Sequence, residues 1–129
     1  MNERRVLVVD DDPHILEVLG IRLESMGFAV TPAHDGARAL KQLDEGNFEL
    51  ALIDLRMEPM DGIALMKAAH ERHPRLPVLI MTAHGTVEAA VHAIKEGAFD
   101  YLTKPFVPEE LRGDLEKLKR LDMETEHRK

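Results

Sequence analysis

Short apolar segments alternate five times with longer amphipathic segments along this chain of 129 residues, and no other feature restricts its fold as strongly. In a chain of this size, strands that alternate with helices predict βαβ units around one parallel sheet, with helices on both faces and a single sizeable core. The predicted strands are 5–10, 28–33, 49–54, 77–82 and 98–103, and the predicted helices are 13–26, 36–45, 62–73, 86–96 and 108–121.

The composition of the individual strands predicts their order in the sheet. Strands 1, 3 and 4 are nearly all apolar, as expected for central parallel strands that are buried on both faces. The second strand contains Pro32, which lacks a backbone N–H and is tolerated at a sheet edge. These features fit an α/β protein with a flavodoxin-like (βα)5 doubly wound parallel sheet of order 2-1-3-4-5. Glycine follows three of the helices, where we expect the left-handed conformation: Gly27, Gly46 and Gly97.

Charge and composition exclude several classes of function. The formal net charge is −7, and lysine and arginine are scattered, which argues against nucleic-acid or anionic-membrane binding by this domain. The chain has no cysteine, so it has no disulfide, thiolate metal site or cysteine nucleophile. No signal-peptide core follows MNERR, and no apolar run approaches the roughly 18 residues that span a bilayer. We expect a cytoplasmic domain without membrane association.

Polar side chains gather where the predicted strands end. The carboxylates Asp10–Asp12 follow the first strand, Asp54 closes the third, Thr82 closes the fourth and Lys104 follows the fifth. The carboxyl ends of parallel strands share one edge of the sheet, and ligands bind there beside the point where the strand order reverses. Carboxylates at the ends of adjacent strands can share a hard divalent cation. Mg2+ suits this set because it uses one or two carboxylates, several waters and a substrate phosphate.

The same side chains predict phosphoryl transfer, in which positioning and charge neutralisation do most of the work. Lys104 supplies a positive charge for a phosphoryl oxygen, and Thr82 supplies a hydroxyl donor. Asp54 would be the nucleophile and would form an aspartyl phosphate. Asp12 also has a structural role open to it, because it can cap the helix that begins at Pro13.

Four segments at these strand ends resemble the motifs of one family, the CheY-like receiver domains of two-component response regulators. The segments are VVDDD, LIDLRMEPMDG, LIMTAHG and DYLTKPF, and they occur in order at the ends of strands 1, 3, 4 and 5. The resemblance covers residues 5 to about 121 and is closest in wording to receivers of NtrC-type, sigma-54-dependent activators. Glu58 stands where the family often has proline, and Pro59 comes one residue later, so the shape of this loop stays open.

The resemblance implies a phosphorylation-activated switch, not an enzyme, that assists its own phosphorylation and dephosphorylation. It implies that Asp54 accepts a phosphoryl group from a sensor histidine kinase and that Lys104 contacts this group. It further implies that Thr82 moves towards the phosphoryl group and that Tyr101 then changes rotamer. A cis peptide bond before Pro105 is implied as well.

The resemblance also implies how a metal and a partner bind. The implied cofactor is Mg2+, bound directly by Asp11, Asp54 and the backbone carbonyl of Arg56, with Asp10 assisting through water. We further expect phosphorylation to promote a homodimer through the face of helix 4, strand 5 and helix 5. The side chains predicted to form that face are Ala89, Ala90, Ala93, Tyr101 and Leu111.

The sequence also predicts the limits of the domain and leaves one rival function open. Residues 1–121 are predicted to form the receiver domain, and residues 122–129 a tail or the start of a linker to an effector domain that controls transcription. The rival is a haloacid-dehalogenase-like phosphatase, in which Asp10 and Asp12 form a D-x-D motif and Asp10 is the nucleophile. This alternative leaves Asp54 without a role.

Overall fold

The structure, a computed structural model, describes residues 4–83, 85–104 and 108–127. Strands and helices alternate along these residues as the sequence predicts. The strands are β1 (Arg4–Val9), β2 (Phe28–Ala33), β3 (Leu50–Asp54), β4 (Val78–Thr82) and β5 (Asp100–Thr103). The helices are α1 (Pro13–Ser25), α2 (Gly36–Glu45), α3 (Gly62–Arg72), α4 (Val87–Lys95) and α5 (Pro108–His127).

All five strands are parallel and lie in the order β2-β1-β3-β4-β5, which confirms the predicted flavodoxin-like topology. The strand with Pro32 lies at an edge of this sheet, where a missing N–H donor leaves no neighbour unpaired. The order reverses between β1 and β3, so the ends of these two strands lie side by side at the switch point. Val9 pairs with Ile53 in that register, which brings the residues after each strand together.

The sheet divides the core into two compartments. Alternate side chains of a strand point to opposite faces, so each central strand contributes to both compartments. One compartment receives Leu7, Val9 and Ile53 and is covered by α2, α3 and α4. The other receives Val6, Val8, Leu50, Leu52, Leu79 and Met81 and is covered by α1 and α5.

The ends of the helices follow short-range capping chemistry, with one departure from the prediction. Gly27 and Gly97 have φ angles of 94° and 121°, so they adopt the left-handed conformation as predicted. The prediction is wrong for Gly46, whose φ of −146° is an extended conformation. A Cβ atom at this position would lie 2.8 Å from the Nη1 atom of Arg5, which is the far end of a flexible side chain and can move aside.

Two further differences concern the length of α5 and the loop after β3. α5 continues to His127, beyond the predicted end at 121, because no glycine or proline interrupts residues 122–127 and three of them, Met123, Glu124 and Glu126, favour helix. The peptide bond between Glu58 and Pro59 is cis. The predicted cis bond before Pro105 lies outside the described residues. Within the residues described, no helix combines the length and apolar character needed to cross a membrane.

Candidate functional site

The acidic loop after β1 is held in place by its own hydrogen bonds. The amide of Asp10 donates to the carbonyl of Ala33 at 3.1 Å, and this bond continues the pairing of β1 with β2. The amide of Asp12 donates to Oδ1 of Asp10 at 3.0 Å, and Oδ1 of Asp12 accepts from the amide of His14 at 2.9 Å. Asp12 therefore caps α1, as its alternative role predicts, while Asp10 and Asp11 are left beside the end of β3.

Asp54 is fixed by backbone packing on both sides. Its neighbour Leu55 donates an amide hydrogen bond to the carbonyl of Met81 at 2.7 Å, which extends the β3–β4 pairing past Asp54. Gly62, the first residue of α3, lies directly against the Asp54 backbone, because a Cβ atom on it would stand 2.4 Å from the Asp54 carbonyl oxygen. Sequence reasoning assigned Gly62 no role, although the Asp-Gly pair before a helix is a signal for such a contact.

Lys104 connects the two buried carboxylates. Its Nζ atom lies 2.6 Å from Oδ2 of Asp10 and 3.1 Å from Oδ1 of Asp54. The backbone amide of Lys104 donates to the carbonyl of Thr82 at 2.6 Å, so the end of β4 positions the residue that crosses to β1 and β3. The Lys104 side chain is only 17% exposed, so solvent screens these ion pairs less than surface pairs.

Burial and neighbouring charges shift the pKa values of both Asp54 and Lys104. Burial raises the pKa of the Asp54 carboxyl above its ordinary value, and the negative charge of Asp10 raises it further, against the opposing effect of Lys104. Burial alone would lower the pKa of Lys104, but the hydrogen bond and charge of Asp10, together with those of Asp54, raise it overall. The ammonium group is therefore retained, and it offsets one of the negative charges beside it.

Three carboxylates converge closely enough to hold one metal ion. Asp10, Asp11 and Asp54 each offer an oxygen atom, and these atoms lie within 4.8 Å of one another. Asp10 and Asp54 are buried whereas Asp11 is exposed, so the group opens to solvent on one side. It borders a cleft of about 500 Å³ that continues along α1 past Ile15 and Val18. Carboxylate oxygens in this arrangement match the donors that Mg2+ prefers.

The remaining predicted site residues lie around this group. Thr82 is buried at the end of β4, one strand away from Asp54, and pairs with Thr103 of β5. Arg56 is exposed and lines a shallow depression together with Asp11. Tyr101 is half-buried and packs against the compartment under α2, α3 and α4. His84, which follows Thr82 in its motif, lies outside the described residues.

Part of the predicted partner face is buried. Ala93 of α4 and Leu111 of α5 are both buried. Neither side chain lies on the surface, so the prediction is wrong for these two residues. Both residues lie on the side of their helix that faces the sheet, and this is why they are buried. The exposed apolar side chains of α4 are Val87, Val91 and Ile94, which occur at intervals of four and three residues and form one stripe.

Comparisons with known proteins agree with this geometry. Residues 6–116 match the family described as the response regulator receiver domain. Over 112 residues the chain is 47% identical to the transcriptional regulatory protein ZraR of Escherichia coli (strain K12), which is 87% of this chain and 25% of that protein. Over 101 residues it is 50% identical to the DNA-binding transcriptional regulator NtrC of the same strain, which is 78% of this chain and 22% of that protein.

Solved structures share the same fold. The receiver domain protein (CheY-like) from Methanospirillum hungatei JF-1 superposes with a TM-score of 0.86 at 31% sequence identity, covering 95% of this chain and 99% of that one. The chain spans about a quarter of the length of the curated relatives named above. The sheet order, the acidic group at the switch point and the match over residues 6–116 lead to one assignment. The chain belongs to the receiver domain family of two-component response regulators and is homologous to the receivers of NtrC-type activators.

Proposed function

We propose that this chain is a phosphorylation switch: Asp54 accepts a phosphoryl group from a sensor histidine kinase, and the domain then changes conformation to control an output. The observation that carries the proposal is the position of Asp54. Its carboxylate lies at the switch point of the sheet, within 4.8 Å of two other carboxylates and 3.1 Å from the Lys104 ammonium. No purely structural role requires so many charges around one buried strand end.

Mg2+ is the cofactor that this donor set fits. Asp10, Asp11 and Asp54 offer hard oxygen donors, and one oxygen atom of each lies within 4.8 Å of the other two, close enough for the group to surround one Mg2+ ion and its waters. The Arg56 backbone carbonyl is the proposed fourth protein group, because Arg56 borders the same depression as Asp11. When bound, the ion neutralises negative charge on the phosphoryl oxygens.

The transfer itself needs little from the protein beyond position and charge. An Asp54 carboxylate oxygen attacks the phosphorus atom of a phosphohistidine, the P–N bond breaks, and the imidazole leaves and takes up a proton from solvent. Lys104 stands ready to donate to a phosphoryl oxygen, because its ammonium already lies 3.1 Å from the attacking carboxylate. Donors aimed at developing negative charge lower the barrier in such reactions.

The response to phosphorylation is proposed to begin at the end of β4. A phosphoryl group on Asp54 adds strong acceptor oxygens, and the Lys104 ammonium and the Thr82 hydroxyl are the donors proposed to meet them. Movement of Thr82 would then change the packing of Tyr101, which lies on the adjacent strand β5. The curated relatives are transcriptional regulators, so control of transcription by an attached effector domain is the proposed output.

The experiment that tests this function is phosphorylation of the whole chain by acetyl phosphate in the presence of Mg2+. We expect the mass of one phosphoryl group to be gained and then lost on treatment with hydroxylamine, which cleaves acyl phosphates. Asp54→Asn should abolish the gain, whereas Asp44→Asn, an exposed position at the end of α2, should not change it. Full labelling of Asp54→Asn would contradict the assignment.

The same experiment separates the rival phosphatase function. Both oxygens of Asp10 are already engaged, one by Lys104 at 2.6 Å and one by the Asp12 amide at 3.0 Å, and the residue is 1% exposed. Asp10 is therefore less available for attack than Asp54. A phosphoryl group that depended on Asp10 and survived in Asp54→Asn would favour the phosphatase.

A further inference from the structure

A second acidic pair, which sequence reasoning did not detect, lies where α5 packs on β5. Asp114 is in the middle of α5 and only 3% exposed, between Leu111 and Leu115, which are both buried in the compartment under α1 and α5. Its Oδ2 atom is buried and has no hydrogen-bond partner among the residues that the structure describes. An ionised carboxylate with an unpaired oxygen in an apolar core is costly, so this environment favours the neutral acid.

The partner of Asp114 is also a carboxyl group. Asp100, the first residue of β5, forms a side-chain hydrogen bond with Asp114, and Oδ1 of Asp100 accepts from the amide of Tyr101 at 2.8 Å. Two ionised carboxylates have only acceptor atoms and cannot hydrogen-bond to each other. The hydrogen bond between Asp114 of α5 and Asp100 of β5 therefore requires one proton on the pair.

We propose that Asp100 and Asp114 share this proton and form a pH-sensitive latch that ties α5 to β5 beside Tyr101 and weakens as the pair loses its proton. The latch is independent of the phosphoryl chemistry at Asp54, because it lies on the other side of the sheet from α3 and uses none of the site residues. Opening of the latch would weaken the attachment of α5 to the sheet. It would thereby affect the part of β5 that contains Tyr101.

The charges around the pair support this inference. Burial, the hydrogen bond to Asp100 and the negative charge of Asp100 raise the pKa of Asp114 to about 7 from its ordinary 3.8. On α5 itself, Glu110 acts in the same direction and Lys117 opposes it. The same compartment contains apolar side chains of α1, among them Leu16, Leu19 and Leu23.

The direction of the pH effect follows from this shift. Between pH 3.8 and about 7 the closed latch holds a proton that the open state releases, so opening becomes easier as the pH rises. Each pH unit in that window should raise the opening equilibrium constant by roughly tenfold. Above a pH of about 7 the Asp114 carboxyl is ionised in both the closed and the open state. The proton then no longer stabilises the closed latch, and the opening equilibrium constant no longer changes with pH.

Carboxyl 13C NMR on the whole chain tests the proposal directly. We expect the Asp114 carboxyl to titrate near pH 7, and hydrogen exchange of the α5 and β5 amides, corrected for intrinsic rates, to accelerate towards that pH. Titration of Asp114 near 4 would overturn the proposal whether or not any variant folds.

Substitutions provide the second arm of the experiment. Asp114→Asn replaces the shared proton by an amide N–H, which can donate to Asp100 at every pH, so the pH dependence of α5 opening should disappear. Glu116→Gln removes an exposed carboxylate from the same helix and should preserve the wild-type dependence. An Asp114→Asn protein with the wild-type pH dependence would also overturn the latch.

Discussion

At the scale of single residues, the proposed site is a set of like charges held together by one lysine. Lys104 pairs with Asp10 and Asp54, whereas Asp11 adds a third negative charge within 4.8 Å of both. The set keeps an excess of negative charge around two buried carboxylates, Asp10 and Asp54, and a bound cation would relieve the repulsion. Metal binding should therefore be linked to folding.

We expect Mg2+ to raise the thermal unfolding midpoint of the wild-type chain. A ligand that binds only the native state stabilises it by about 2.7 kcal/mol at one hundred times its dissociation constant. Asp11→Ala should remove most of this effect, because it deletes the exposed carboxylate while both Lys104 ion pairs remain. Calorimetry with and without Mg2+ measures the shift. Asp44→Ala is the control, and an equal Mg2+ shift in Asp11→Ala and the wild type would contradict the shared site.

The sequence predicted individual site residues well where they follow strands, and poorly where burial depends on packing. Asp10, Asp54 and Lys104 were predicted to meet because parallel strands bring their ends to one edge, and the structure brings them together. Asp114 was missed, although its spacing of three from Leu111 and four from Leu118 put it on the apolar face of its helix. A charged residue on such a face is usually at its margin, and only the packed structure shows that this one is buried.

At the scale of elements, the contact between the start of α3 and the end of β3 determines where Asp54 lies. The helix begins so close to this strand that its first residue has no space for a side chain. Asp61 caps the helix by accepting from the amide of Ala64 at 2.8 Å, and this bond fixes the first turn of α3. The position of the proposed phosphoacceptor is thus set by an element that contributes no catalytic group.

Gly62→Ala should destabilise the fold and slow phosphorylation of Asp54. The new Cβ atom would meet backbone atoms, the Asp54 carbonyl at 2.4 Å and the Leu55 Cα at 2.9 Å, which cannot swing aside as a side chain can. Overpacking of this kind costs about 1–3 kcal/mol. Chemical denaturation and the rate of labelling by acetyl phosphate measure the two effects.

A matched substitution is available on α5. Among the described residues, a Cβ atom added to Gly113 would have no neighbouring atom within 4 Å, so Gly113→Ala should gain about 0.5–1 kcal/mol from helix propensity and leave labelling unchanged. If Gly62→Ala were as stable and as quickly labelled as Gly113→Ala, the close approach would have no role in positioning Asp54.

The limits of helices and strands were predicted to within two residues, except at the end of α5, which lies at His127 instead of 121. Apolar runs and N-capping residues set most helix and strand limits, because those signals are local. The extended backbone of Gly46 was not predicted, and the group nearest to its missing side chain belongs to Arg5, forty-one positions away in the chain, a contact that no local pattern contains. The burial of Ala93 and Leu111 likewise depends on how each helix is rotated against the sheet.

At the scale of the whole molecule, the proposed output face has an apolar stripe that the sequence-based prediction did not select. Val87 is 80% exposed, and Val91 and Ile94 are 47% and 45% exposed, all on α4. The half-buried Tyr101 lies on β5, the strand that α4 contacts. A contiguous apolar stripe of this kind is a surface on which a second copy of the chain can pack.

We expect beryllofluoride, a mimic of the phosphoryl group, to promote self-association through this stripe. Sedimentation equilibrium should show a shift towards dimer in the wild type, a weak response in Thr82→Ala and little response in Val91→Lys. Ile21→Lys introduces the same charge at an exposed apolar position of α1 and should behave as the wild type. A wild-type chain that remains monomeric with beryllofluoride would remove the dimer, and an identical response in Thr82→Ala would remove Thr82 from the switch.

The division of the interior by the sheet has a consequence for how this sequence can diverge. Ile53 lies beside Val9 and Ile80 on the two neighbouring strands and shares their compartment, whereas Leu52, its neighbour in the chain, points into the other. A change of volume at Ile53 can be compensated by an opposite change at Val9 or Ile80, because packed neighbours couple energetically and residues across the sheet do not share a cavity. Among descendants of this chain, covariation along the central strands should therefore have a period of two residues. A substitution on one face of the sheet should be compensated by substitutions on the same face.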